Sequence, residues 1–443
     1  MRSAGKRRKA VAAFLDNCRF VPTAGATTDW TYSSAVGGCQ SPSAAGAVNG
    51  TKYKFLAIGS DLTQWEIAEG TYNSGTGVFQ RTTVLYNSSG TGTASGQSGA
   101  GTKINFTAIP QVAIIGIKED LISIEEANSF TATQQARAMA NLGLILPPQG
   151  RLTLQSGTPV MTTTQGAKTT VFYTPDVGGI IPIYDGAVLQ PTPFSEISVA
   201  TADTTKNPAA IGASKVNDWF VWNDAGIMRL AHGPDWTSDT VRSAGTALVR
   251  INGLLTNSVA ITNGPGVSKG TYVGTTRSNA SSQIDYIFGA AASGGTAAFF
   301  GVWNCYNRVT VAGIVQDNGA AYTYASSTAR QARGSAGNQV SFVTGLAEDA
   351  ILSVYTNRSD TVAASGAFVA FQPSLDSTSS FQGQNQFIDP GVANTFRTSA
   401  PAVTMSLPQL GFHFVAAIEQ GDGTNANTVN PGSLATLYVQ IKN

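Results

Sequence analysis

Short runs of apolar and β-branched residues, each ended by a cluster of Gly, Ser, Asn or Thr, set the pattern of this chain. Between Phe14 and Ile117 the runs are Tyr53 to Ile58, Trp65 to Tyr72, Val78 to Tyr86, Ile104 to Ala108 and Val112 to Ile117. Runs of that length and spacing predict an all-β module over residues 14 to 117. Gly70 to Gly77 lies between two of them and predicts a hairpin loop. Asn87 to Gly101, dense in Gly and Ser, predicts a long loop of the kind that often serves function or assembly.

One stretch breaks the β pattern. Thr131-Ala132-Thr133-Gln134 has the form of a capping box, and the residues up to Leu142 are rich in Ala, Gln, Arg and Met before Gly143. A helix of about ten residues is predicted. Its apolar side chains are mostly small, so it must pack on the body or on copies of itself, with Gln134, Arg137, Met139 and Leu142 as candidate oligomer contacts. Pro147-Pro148-Gln149-Gly150 then punctuates the chain, which makes 118 to 150 a helical connector.

Beyond it the β pattern returns in Thr169 to Tyr173, Trp219 to Trp222, Ala247 to Ile251, Ala297 to Trp303, Val340 to Val343, Ala367 to Phe371, His413 to Ile418 and Thr436 to Ile441. Turn signals between nearly all of them favour a β-sandwich or jelly-roll over residues 151 to 443. The expected fold class is therefore all-β: an N-terminal β domain, a short helical connector and a C-terminal sandwich.

Composition adds an exclusion. Only 12% of the 443 residues are charged, while 42% are hydrophobic and 48 are Gly, so cores can form and disorder is not the main state. Twenty-seven Lys and Arg balance 26 Asp and Glu at a net +1, which gives no case for a nucleic-acid or membrane partner over the whole surface. The balance is uneven along the chain. Arg2, Lys6, Arg7, Arg8 and Lys9 make residues 1 to 13 a basic arm and leave the rest at about −4. Such an arm is a solubilising tail or a docking element for an acidic assembly partner or nucleic acid. Val11 to Leu15 is too short for the apolar core of a secretory signal, and no apolar stretch reaches membrane-spanning length. Cys18, Cys39 and Cys305 fit neither a zinc site nor a disulfide framework, so free thiols are expected, with a Cys18 to Cys39 pairing left open.

Motifs for chemistry are sparse. Two histidines, His232 and His413, are too few and too far apart for zinc-protease chemistry, and no metal or cofactor is expected. Gly264 to Thr271 resembles a phosphate-binding loop only loosely, since Pro265 removes a needed amide. Gly96 to Ala100 misses the nucleophile-elbow pattern, and Asp422 to Asn427 lacks the ligand spacing of a calcium loop and is read as a turn. The richest segment is Asn217 to Arg242. There Trp219, Trp222 and Trp236 alternate with Asp218, Asp224, Asp235, Asp239 and His232. Flat aromatic faces with carboxylates suit a saccharide, and paired acids suit glycoside hydrolysis, although tryptophans three apart on a strand are more simply core residues. Trp219, Trp222, Asp224, Asp235 and Trp236 are the candidate glycan contacts.

Trp65-Glu66-Ile67-Ala68-Glu69-Gly70-Thr71-Tyr72, followed by Arg81-Thr82-Thr83-Val84-Leu85, resembles a signature of fibre-like structural proteins of tailed bacteriophages. Phe130 to Arg137 with Asn141-Leu142-Gly143-Leu144 is similar to the helical connector of the same proteins, and the segments 217 to 224, 232 to 236, 270 to 276 and 300 to 308 extend the likeness. The resemblance implies a non-enzymatic virion protein, typically a homotrimer. The N-terminal part would attach to tail, collar or capsid proteins through the basic arm, and the distal β domain would contact host surface glycan, with no membrane insertion. Two alternatives share these features: a purely structural capsid-decoration, collar or tail component, and a glycan-degrading tailspike.

Overall fold

The computed structural model describes residues 14–89, 102–117, 131–360, 367–382, 387–388, 396–398, 401–432 and 435–443. These form an all-β, multi-sheet protein with one α-helix among the described residues. The chain divides into two compact units, Met1–Ser129 and Phe130–Asn443. The basic arm, most of the loop 87 to 101 with its Gly96 to Ala100 motif, and residues 118–130 of the connector lie outside the described residues.

In the first unit the pairing path runs through strands Lys52–Gly59, Pro110–Ile114, Arg19–Pro22, Trp30–Ala35, Val78–Phe79 and Trp65–Asn73. The last of these pairs again with the first, from Lys52 against Thr71 to Ile58 against Trp65, so the path closes on itself. Strict alternation turns Tyr53, Phe55 and Ala57 inward from one strand and Glu66, Ala68 and Tyr72 from its neighbour. Phe20, Trp30, Phe79 and Val112 complete the aromatic interior. The hairpin loop is shorter than the glycine run suggests: strand pairing continues to Asn73 opposite Val78, and Asn73 Oδ1 accepts the amides of Gly75 and Thr76 to close the turn.

Glu66 faces this apolar interior with no exposure, and Arg81 answers it. Arg81 Nε donates to Glu66 Oε1 at 2.8 Å, and Arg81 Nη2 donates to Glu66 Oε2. The remaining guanidinium hydrogens go to the carbonyls of Ala26 (2.8 Å), Thr28 (3.0 Å) and Ile104 (3.1 Å), while the guanidinium carbon sits 4.1 Å from the Trp30 ring centroid. Ile104 N returns a hydrogen bond to Glu66 Oε2. A buried ion pair costs several kcal/mol per ion unless such bonds satisfy it, and here both partners are satisfied.

The pair explains two departures from the expected strands. The run Val78 to Tyr86 is two strands, Val78–Phe79 and Thr83–Asn87, because the chain turns inward to deliver Arg81, whose amide is held by Asp29 Oδ1. Ile104 to Ala108 forms no strand, since Ile104 N is taken by Glu66 and Phe106 N by the Gly25 carbonyl rather than by a ladder. Gly70 is equally constrained: a Cβ there would lie 1.5 Å from the Gln80 carbonyl oxygen.

The second unit opens with the helix Ala132–Leu142. The Thr131 hydroxyl accepts the Gln134 amide, Gln134 Oε1 accepts Thr131 N at 2.8 Å, and Gly143 ends the helix in the left-handed region at φ 71°. Ala136 is buried, alone among the described side chains of the helix, and the helix lies against the strand Leu189–Pro193. Among the described residues, sheets of three, two, six, eight, five and four strands follow, mostly antiparallel. The run Ala297 to Trp303 is split into Ala298–Phe300 and Val302–Asn304 at Gly301, which pairs with Asp285 and has no room for a side chain. Arg151 ties the start of this unit to its end, donating from Nη2 to the Asn443 carbonyl at 3.0 Å.

Replacing Arg81 with Met is expected to lower the stability of the first unit by about 3–5 kcal/mol in urea unfolding, because Glu66 is left buried without its partner. The double change Glu66→Leu with Arg81→Met is expected to stay destabilised. The carbonyls of Ala26, Thr28 and Ile104 and the Ile104 amide would still lack partners, and full recovery would refute this account of the pair.

Candidate functional site

The aromatic and acidic segment sits on the antiparallel pair Val216–Asp224 and Ile227–His232, with Thr271–Arg277 on the other side of the first strand. Alternation along Val216–Asp224 sends successive side chains into two different cores. Trp219 and Val221 join the larger one, Val216 and Phe220 the smaller one together with Trp236 and Trp303. Trp219 is fully buried, its Nε1 donating to Thr276 Oγ1 at 2.8 Å and its ring set edge-on to His232 at 5.4 Å. Trp236 is buried beneath the Arg242 guanidinium, 4.5 Å from its ring centroid. Neither indole offers a face to a ligand. Trp222, opposite Arg229, is half-buried.

The acids are likewise separated, each with its own partner. Asp218 is fully buried and holds Arg242 through Nε at 2.7 Å and Nη2 at 3.2 Å, with the Thr275 hydroxyl donating to Oδ1 at 2.7 Å. Burial pushes the Asp218 carboxyl up, and Arg242 pulls it back only in part. Arg242 Nη2 also donates to the Gly345 carbonyl at 2.6 Å, so the pair pins a distant loop to this strand. Asp224 takes Lys206 at 2.7 Å and Arg229 at 3.2 Å at the surface. Asp235 accepts Asn217 Nδ2 at 2.9 Å, and Asp239 accepts Nε and Nη2 of Arg277, both at 3.1 Å. Of the five candidate glycan contacts, Trp222, Asp224 and Asp235 reach solvent. Among the helix positions Gln134, Arg137 and Leu142 are exposed and Met139 is half-buried.

Other motifs resolve into local structure. In Gly264 to Thr271 the amides are turned inward: Ser268 N bonds the Asn257 carbonyl, Lys269 N the Gly266 carbonyl, and Gly270 N the Asn257 side chain. Asp422 accepts from the amides of Thr424, Asn425 and Phe368 and from the side chains of Asn425 and Asn427, which closes a turn. Burial would raise its carboxyl, and these donors instead hold it well below the usual carboxylate range. The three cysteines are free thiols; burial pushes Cys18 up to about 11, with Cys39 adding to it, and Cys305 up to about 12. Among the described residues no group of three or more His, Cys, Asp and Glu could hold a metal ion, and no helix is long and apolar enough to cross a membrane.

The sequence pattern did not single out the arginine-centred ties. In the largest, the buried Glu419 accepts Arg330 Nε at 2.8 Å, Arg333 N at 3.0 Å and the Tyr322 hydroxyl, while the neighbouring Asp317 accepts Arg333 Nε at 2.7 Å. Arg330 lies over the half-buried Tyr324 ring at 3.7 Å from its centroid. A chain so poor in charge makes every interior arginine informative, and that scarcity was the available signal.

No protein-family model matches the chain, and no curated protein matches it. Among solved structures it is similar to an exo-beta-1,3-galactanase from Phanerochaete chrysosporium bound to beta-1,3-galactotriose, at 9% identity over 98% of this chain and 86% of that one, with a TM-score of 0.15. A Bacillus thuringiensis Cry1Da tryptic core variant matches at 9% identity over 74% of this chain and 56% of that one, with a TM-score of 0.14. Likenesses at that score carry no argument about fold or activity.

The two histidines predict opposite pH effects. His413 Nδ1 faces Asp376 Oδ2 at 2.7 Å and Nε2 faces the Leu410 carbonyl at 3.0 Å, so only the imidazolium satisfies both acceptors. Burial works against that charge, but the hydrogen bonds to Asp376 and Leu410 outweigh it and raise the group above 6.5. Its stabilisation is therefore complete below about pH 6.5 and is lost as pH rises through the folded value. His232 is lowered by burial, against the pull of the Gly233 carbonyl, so its contribution is lost as pH falls below about 6.5. His413→Gln is expected to lower the melting temperature near pH 5 to 6, where the imidazolium contributes in full, and to change it little at pH 9, so that the decline on the alkaline side flattens, as measured by melting at pH 5 to 9.

Proposed function

We propose that this chain is a non-enzymatic fibre protein of a tailed-bacteriophage virion. Its N-terminal β unit attaches to tail, collar or capsid proteins, with the basic arm Arg2, Lys6, Arg7, Arg8 and Lys9 as the docking element. Its larger β unit, a sandwich or jelly-roll in type, contacts the host surface. One observation carries the reading: the residues of the fibre-like signature are those that build the first unit. Glu66 and Arg81 are its buried ion pair, Gly70 is the position without room for a Cβ, and Tyr72 packs on Phe79 at 4.5 Å between ring centroids. The signature therefore encodes a framework, as expected of an attachment module, rather than a reaction centre.

Host contact on this reading is weak at each copy and gains strength from several copies on one particle. Trp222, Asp224 and Asp235 are the glycan-contact positions that keep solvent access. A chain with only 12% charged residues and many Ser, Thr and Asn side chains suits hydrogen bonding to sugar hydroxyls.

The test uses the full-length chain. An antiserum raised against it is expected to decorate virions in immunogold microscopy, and the labelled protein is expected to bind host cells without shortening their surface polysaccharide. Undecorated virions would overturn the reading. Decoration without cell binding would make the protein a structural component of the particle, and polysaccharide shortening would make it a tailspike.

A further inference from the structure

Four Asn-Gly pairs occur in the sequence: Asn49-Gly50, Asn252-Gly253, Asn263-Gly264 and Asn318-Gly319. Asparagine is thermolabile before glycine, which has no side chain to obstruct the approach of its amide nitrogen to the asparagine carboxamide. All four asparagines are exposed, so exposure does not separate them. Hydrogen bonding does. Gly50 N is held by the Tyr72 carbonyl at 2.8 Å, Gly264 N by the Ile261 carbonyl at 2.9 Å and Gly319 N by Asp317 Oδ1 at 2.9 Å. The Asn49 side chain accepts Ser74 N at 3.0 Å, and that of Asn263 donates to the Thr204 carbonyl at 3.0 Å.

Asn252-Gly253 differs in both halves. It is the two-residue turn that joins Leu248–Ile251 to Leu254–Asn257, with Ile251 opposite Leu254. Asn252 at φ 48° and Gly253 at φ 87° give it the type I′ form, in which the ladder closes around the pair and leaves the Gly253 amide outside it. Among the described residues neither the Gly253 amide nor the Asn252 carboxamide has a hydrogen-bond partner. Leu248–Ile251 is also an edge strand, paired among the described residues with Leu254–Asn257 alone, so a single ladder restrains the turn. Arg250 Nη1 donates to the Gly253 carbonyl at 2.9 Å and sets a cation beside it.

We propose that Asn252 is a modification site, converted without an enzyme to aspartate and isoaspartate. The Gly253 nitrogen attacks Asn252 Cγ, a C–N bond forms, and the Cγ–Nδ2 bond breaks. The carboxamide nitrogen leaves as ammonia, taking up the proton lost from the Gly253 amide. Water then opens the succinimide. Addition at Cγ gives aspartate at this position, and addition at the backbone carbonyl gives isoaspartate, whose main chain carries one extra methylene. Either product places a new carboxylate beside Arg250, which favours it. The isoaspartyl chain no longer fits a two-residue turn, so the pairing of Ile251 with Leu254 is lost. The loss stays local, because Leu254 and Leu255 remain buried and hold their strand on the sheet.

The proposal stands apart from the virion reading, since it concerns a bond within the chain and not what the protein attaches to. The full-length chain is held in mildly alkaline buffer, folded and in urea, and peptide mapping by mass spectrometry follows the four asparagines. In the folded chain Asn252 is expected to convert about tenfold faster than Asn49 or Asn263, where two hydrogen bonds must break first, and faster than Asn318, where one must. In urea the four are expected to react at similar rates. Hydrogen exchange of the isoaspartyl form is expected to quicken in residues 248 to 257 and to stay unchanged in Val216–Asp224. Folded Asn252 converting no faster than the other three, a lead that persists undiminished in urea, or unaltered exchange in the hairpin would each overturn it.

Discussion

A buried carboxylate answered by an arginine is the interaction on which both units of this protein depend. A chain with so few charges could have filled its interior with aliphatic residues alone, yet Glu66 and Arg81 are both enclosed, and the buried carboxylates Asp218 and Glu419 are each met by an arginine, Arg242 and Arg330, that reaches in from nearer the surface. The guanidinium does what no apolar side chain can. Its planar fork binds the carboxylate and still has hydrogens for backbone carbonyls that no ladder reaches, such as those of Ala26, Thr28 and Gly345. Each pair therefore fixes irregular chain segments, and irregular chain is abundant in a protein whose strands are short and whose turns are many.

The local rules were legible in the sequence. Alternation located most strands, and the capping box with its closing glycine located the helix, because both depend on residues that are neighbours along the chain. Failures came where a distant partner intervened. The run from Val78 to Tyr86 reads as one strand until Glu66, fifteen residues earlier, draws Arg81 inward. Ile104 to Ala108 reads as a strand until its amides find a carboxylate and a loop carbonyl instead.

The aromatic and acidic segment shows the same limit on the functional side. Tryptophan and aspartate side by side in sequence suggest a binding surface, but alternation along Val216–Asp224 distributes Trp219 and Phe220 to opposite cores. Composition says which chemistry is present and not which way it points. What remains solvent-accessible, Trp222, Asp224 and Asp235, is narrower than the motif suggested.

The link from Arg151 to the Asn443 carbonyl bears on how the larger unit is made. It spans 292 positions of sequence, and Asn443 Nδ2 in turn donates to the Val302 carbonyl, so three remote stretches share one junction. During synthesis Arg151 emerges from the ribosome long before its acceptor exists, and at about 5–20 residues per second the wait is some tens of seconds. Over that interval Arg151 gains the Pro159 carbonyl within eight residues and the Asn307 carbonyl later, while its Nη2 still lacks the Asn443 acceptor. That junction closes only once the strand Ala435–Lys442 and the residue after it have been made, so the last tie of this unit waits on its latest-made strand.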